Sequence, residues 1–198
     1  MKFTFNEKKD LFYAGVMISI AFAILLSGGL SGITSLSQGF IIVFVIAFLT
    51  AGVGFLFHEL MHKYVAQRYK LFAEFRASYG MLWLAVIASF FGFIFAAPGA
   101  VYIHGNITKE RNGKISLAGP LTNIVLALAF LVLLLTFSTS EILAALFGFG
   151  LTINSLLAAF NMIPAMPFDG AKVFAWNKPV YWITLALGVG LFALSFFI

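Results

Sequence analysis

Six apolar stretches, at 11–27, 40–62, 79–97, 115–137, 141–162 and 179–198, take up most of this 198-residue chain. Each is close to the roughly 17–25 residues an α-helix needs to cross a hydrocarbon core about 30 Å thick. Hydrophobic residues make up 62% of the chain and charged residues 10%, whereas soluble domains carry about 45–50% and about 25%. The expectation is one integral-membrane domain over 1–198, with almost nothing left for a separate soluble part. The opening "MKFTFNEKKD" has signal-peptide charge, but no small-x-small cleavage site follows the first apolar run. An uncleaved first span is therefore expected. With no cysteine, disulfides are excluded and a metal must be held by nitrogen and oxygen.

The polar breaks carry the orientation signal. If all six stretches cross, seven basic residues lie on one side (Lys2, Lys8, Lys9, Lys63, Arg68, Lys70, Arg76) and five on the other (Lys109, Arg111, Lys114, Lys172, Lys178). If 79–97 instead enters and returns, all twelve share one side. Basic residues concentrate on the cytoplasmic face. The fold class expected is therefore an all-α polytopic membrane protein. It has five spanning helices plus one re-entrant or embedded segment with a short strand, the alternative being six spans. The N-terminus and the polar end of the second stretch are expected to face the cytoplasm, in a cell membrane. "FAAPGAVYIHG" (95–105), with a Pro-Gly turn before a Val-Tyr-Ile triplet, predicts the strand at 99–104. No basic-aromatic patch argues for nucleic acid; the net charge of +5 is an orientation signal.

The second stretch ends in "GFLFHELMHKYVAQRYK" (54–70). Ionisable groups at membrane depth cost about 2.5–3.5 kcal/mol or more, and by default mark function. His58 and His62, four apart, share one helical face and can bridge a divalent ion. Glu59 sits beside the first, placed to act on a metal-bound water; this is the H-E-x-x-H pattern of zinc hydrolases. Catalytic zinc takes three protein ligands and keeps a fourth position open. Candidates for the third are Asp169, His104, Glu74, Glu110 and Glu141. Glu141 falls on the opposite face, while Glu74 and Glu110 lie in charged breaks expected to be solvated. Asp169 follows an apolar helix broken by Pro164 and Pro167, with Gly170 allowing a sharp turn. It shares a face with His58 and His62 only in the five-span topology, so charge count and coordination chemistry favour the same arrangement. Asp169 is the expected third ligand, and His104 the runner-up.

"HELMH", then "SLAGPLTN" (116–123), then "NMIPAMPFDG" (161–170), in that order on successive apolar helices, resemble the site-2 protease family of intramembrane zinc metalloproteases. The resemblance covers a core at about 40–175, a compact member without an appended soluble domain. It implies one zinc per chain on His58, His62 and Asp169, Glu59 as catalytic base, and cleavage of transmembrane protein or peptide substrates within the bilayer. Gly119, Pro120 and Asn123 match the family's Gly-Pro-x-x-Asn, and Asn161 and Pro164 match its Asn-x-x-Pro. Asn123 and Asn161 are candidates for donating to the oxyanion or the substrate backbone. Val101, Ile103 and His104 would form a strand clamp that holds an unwound substrate by β-addition. The main rival reading is a membrane metal-binding or transport protein using the same site. Against it, one site at one membrane face offers no path across, and no inverted repeat is evident.

Overall fold

A computed structural model describes residues 1–31, 39–94 and 98–198. The end of the 79–97 stretch and most of the 28–39 break lie outside the described residues. The chain divides into two units, one of 2–56 with 74–102 and the other of 57–73 with 103–198.

In the first of these, α1 (Phe5–Leu26) starts six residues earlier than the apolar pattern alone implies. Thr4 and Glu7 form a capping box, each side chain accepting the other's backbone N–H, which satisfies two of the orphan donors of the first turn. α2 (Gly39–Ala47) continues through a π turn (Phe48–Gly52) into α3 (Val53–Arg68), one helical run of 30 residues. α4 (Tyr79–Phe90) packs along α1, with Ala21, Ile24, Ala85 and Val86 at the contact. β1 (Phe72–Ala77), which the sequence reading leaves within a polar break, pairs with β2 (Gly99–His104), the expected strand. The pairing is antiparallel: Phe72 lies against His104 at one end and Arg76 against Gly99 at the other. Along the other edge of β1, the Phe75 N–H donates to Glu7 Oε1 at 2.9 Å and the Ala77 N–H to Asp10 Oδ2 at 3.1 Å. Tyr79 O–H donates to Asp10 Oδ1 at 2.7 Å. Glu74, expected to be solvated, is buried and takes the Thr4 hydroxyl and the Arg76 guanidinium.

In the second unit, α5 (Lys109–Phe137) runs along α6 (Glu141–Asn161), and both meet α8 (Lys178–Leu194). Thr108, Ser140 and Asn177 cap the three N-termini through their side-chain oxygens. Gly150 permits the close approach of α6 to α5, since a Cβ there would lie 2.3 Å from Phe130 ring carbons. The short α7 (Asp169–Trp176) is held by a cluster of Met162, Val173 and Tyr181. The Met166–Pro167 bond that leads into it is cis. The C-terminal end of α3 is tied to the start of β1 by the buried Lys63, whose Nζ donates to the Ala73 carbonyl at 2.7 Å.

The described residues are mostly helical, with four runs long and apolar enough to cross a membrane: Phe5–Leu26, Gly39–Arg68, Lys109–Phe137 and Glu141–Asn161. α8, at 17 residues, is shorter. α4 has 12 residues and rises about 18 Å, well below the roughly 30 Å of a hydrocarbon core.

Candidate metal centre

The site starts from a local property of α3. Residues four apart stack on one helical face, and the His58 and His62 rings meet edge to face with centroids 4.6 Å apart. Each ring has its Nδ1 engaged. His58 Nδ1 lies 2.6 Å from Asn123 Oδ1, and His62 Nδ1 lies 2.8 Å from the Ile115 carbonyl, both on α5. A carbonyl oxygen only accepts, so each Nδ1 carries a proton, and the neutral ring keeps its lone pair on Nε2, free for a metal.

Both Nε2 atoms face one carboxylate oxygen. Asp169 Oδ2, in the first turn of α7, is 3.4 Å from His58 Nε2 and 3.0 Å from His62 Nε2. The three residues are buried, at 5%, 7% and 9% exposure, and their ligand atoms lie within 4.8 Å of one another. Tetrahedral zinc with bonds of about 2.0–2.1 Å sets its ligand atoms roughly 3.3–3.4 Å apart, so the spacing suits that ion. Gly119 of α5 gives an independent check. A Cβ built on it would lie 2.5 Å from Nε2 of both His58 and His62, so glycine keeps open the space a shared ion requires. The donor set and the reserved space both fit zinc.

Burial disfavours charge on Asp169, but without metal the adjacent imidazoles, once protonated, outweigh that and hold its pKa below the ordinary aspartate range. Its second oxygen, Oδ1, is 3.7 Å from the Lys172 ammonium. Glu59 is buried beside this group, within electrostatic reach of His58, His62, Asp169 and Lys172.

Among known proteins, "Putative zinc metalloprotease MJ0611" of Methanocaldococcus jannaschii is 49% identical over 149 residues, 74% of this chain and 78% of that one. The chain belongs to the site-2 protease family of zinc metalloproteases. "Zinc metalloprotease MJ0392" of the same organism is 28% identical over 67% of this chain and 34% of its own length. "Putative zinc metalloprotease Rip3" of Mycobacterium tuberculosis is 30% identical over 61% of this chain and 28% of its own. The chain thus spans about a third or less of these two longer relatives. No family model and no solved structure matches it. Zinc is the cofactor of this site-2 protease, and the protein is a multi-pass membrane protein.

The structure of the protease sorts the remaining candidates. His104 is not part of the metal-capable group found among the described residues; its ring packs on Phe72 at 5.9 Å. Glu110 is exposed and paired with Lys114, and Glu141 is exposed at the start of α6. Asn123, offered above as an oxyanion donor, has both ends of its amide engaged. Its oxygen faces His58, and its Nδ2 donates to Asn154 Oδ1 at 3.0 Å. Asn161 donates to the Leu157 carbonyl of its own helix at 2.9 Å. Val101 and Ile103 alternate with the exposed Tyr102 and His104 along β2. The sequence reading missed Asn154 and the Ile115 carbonyl. An asparagine in the apolar "GLTINSLLAAF" was the available signal for the first; a backbone carbonyl gives none.

Proposed function

We propose that the chain is an intramembrane zinc endopeptidase, hydrolysing peptide bonds within or near transmembrane segments of substrate proteins. The observation that carries this reading is the convergence of two imidazole Nε2 atoms and one carboxylate oxygen on a space kept open by Gly119, with Glu59 beside it. His58, His62 and Asp169 would hold the zinc. When bound, zinc would supply Lewis acidity, lowering the pKa of a water at the site to about 7 and polarising a carbonyl. Glu59 takes a proton from the attacking water and returns it to the leaving amide nitrogen, as general base and then acid. Asn123 and Ile115 orient the imidazoles. Asn161 is the asparagine left for the substrate backbone.

All these residues fall within 40–175, and the reading treats the whole chain as one protease domain. The 18 Å rise of α4 supports five spans with 79–97 re-entrant, and with them the cytoplasmic placement of the N-terminus and the site. A helical substrate hides its amides, so it must be unwound before cleavage. β1 has its outer edge occupied by Glu7 and Asp10, which leaves β2 as the edge for β-addition. Val101→Pro or Ile103→Pro should slow cleavage of a membrane-spanning substrate; unchanged cleavage would remove the clamp from the mechanism.

The deciding experiment compares wild type with Glu59→Gln for zinc content and for cleavage of a membrane-spanning substrate. The variant should keep zinc and lose activity by about a hundredfold to ten-thousandfold. Undiminished cleavage would overturn the role of Glu59. A wild type that binds zinc but moves it across vesicles without cleaving peptides would favour the transporter.

A further inference from the structure

The two ligating imidazoles are oriented by different means. His62 rests on a backbone carbonyl, which is an acceptor by constitution. His58 rests on the side-chain amide of Asn123, which could equally present its NH2 group if turned by half a revolution. An NH2 facing Nδ1 would demand a lone pair there and move the proton to Nε2, the nitrogen that must bind metal. Something must therefore fix the direction of the Asn123 amide.

We propose that Asn154 of α6 is that positioning residue, setting the tautomer of His58 through Asn123. Asn154 Nδ2 lies 2.9 Å from the Gly150 carbonyl, and Asn154 Oδ1 lies 3.0 Å from Asn123 Nδ2. The Gly150 carbonyl can only accept, so Asn154 must turn its NH2 toward it and its oxygen toward Asn123. Asn123 must then offer its NH2 to Asn154 and its oxygen to His58. The direction is thereby passed from a main-chain oxygen of α6 to an imidazole of α3 through two amides. Both amides are fully buried, so no solvent competes for the alternative orientation. Glycine at 150 also allows the close contact with Phe130 that brings α6 within reach. Partners that orient a metal-binding histidine typically contribute 10–100-fold to metal affinity.

The proposal rests on His58 being a zinc ligand, so the test carries a control for that. Zinc affinity of the purified full chain is measured by chelator competition for wild type, His58→Ala, Asn154→Leu and Asn154→Asp, alongside metal-free thermal midpoints. Asn154→Leu removes the acceptor and should weaken zinc by about tenfold or more. Asn154→Asp keeps an acceptor for Asn123 and, as a neutral acid, a donor for Gly150; it should bind within a few-fold of wild type. If both weaken zinc equally, or neither does while His58→Ala does, Asn154 does not set the tautomer. If His58→Ala binds zinc like wild type, the ligand assignment itself fails. An independent readout needs no variant at Asn154. In 15N-histidine spectra of the zinc-free chain, the signal that disappears in His58→Ala should show a protonated Nδ1, whether or not Nε2 also shares a proton with Asp169. A bare Nδ1 would overturn the proposal.

Discussion

Two groups of buried carboxylates sit in this protein, and they are solved in opposite ways. Glu7 and Asp10 on α1 face donors: the N–H groups of Phe75 and Ala77, and the hydroxyl of Tyr79. Asp169 faces two nitrogens whose lone pairs point at it. The first arrangement is complete as it stands, since each acceptor has its hydrogen. The second sets acceptor against acceptor and needs a cation between them, a proton or a metal ion. Burial of an acidic residue in an apolar chain therefore does not by itself mark a metal site. The mark is a convergence of lone pairs around a space that Gly119 keeps clear of side chains.

Substitutions at the two places should part ways accordingly. The largest effect is expected at the centre itself. Asp169→Asn turns one acceptor into a donor toward the imidazoles; zinc content should fall from about one per chain to near zero. The metal-free thermal midpoint should not drop. Gly119→Ala should also abolish zinc, because its methyl takes the place of the ion. Stoichiometric zinc in Gly119→Ala would mean that the space between the imidazoles is not where the metal sits.

Acid should act on the same centre next. Zinc requires neutral imidazoles, and the Asp169 pKa lies below the ordinary aspartate range, so the carboxylate stays charged as pH falls. Zinc should then be lost as protons compete with the metal for the imidazoles, at lower pH the more zinc is present. Loss only in the range of ordinary carboxylates would point to the carboxylate as the titrating ligand.

The smallest effect is expected at the donor-paired carboxylates, and of a different kind. Glu7→Ala leaves the buried Phe75 N–H without its carboxylate and opens the capping box. It should cost about 1–3 kcal/mol of stability and leave zinc per folded chain unchanged. If Glu7→Ala stripped zinc from folded protein, the two kinds of buried carboxylate would not act independently.

What the sequence makes legible follows from how far each interaction reaches along the chain. The two histidines and Glu59 are readable because four residues make one helical turn. Asp169 is readable because prolines and a glycine mark the break that presents it, and because the charge count places that break with the histidines. The strand at 99–104 is readable from its Pro-Gly turn and apolar triplet. β1 is not: its "FAEFRA" reads as a charged break, because the partners that bury Glu74 and dock the strand lie some 70 positions away at Thr4, Glu7 and Asp10. Asn123 illustrates the same limit. Its residue type fits an oxyanion donor, and only the arrangement of α3, α5 and α6 commits its amide elsewhere.

The engagement of both Nδ1 atoms has one further consequence. Amides and main-chain carbonyls do not ionise, and an apolar cluster holds α7, so with a proton in place of the ion this framework keeps its own stability. Zinc enters a receptor already assembled. It is a removable part rather than a keystone, unlike the zinc of small domains that unfold without it. Chelation should therefore give a silent but folded enzyme, and returning zinc should restore activity on the timescale of metal exchange, with no refolding step between.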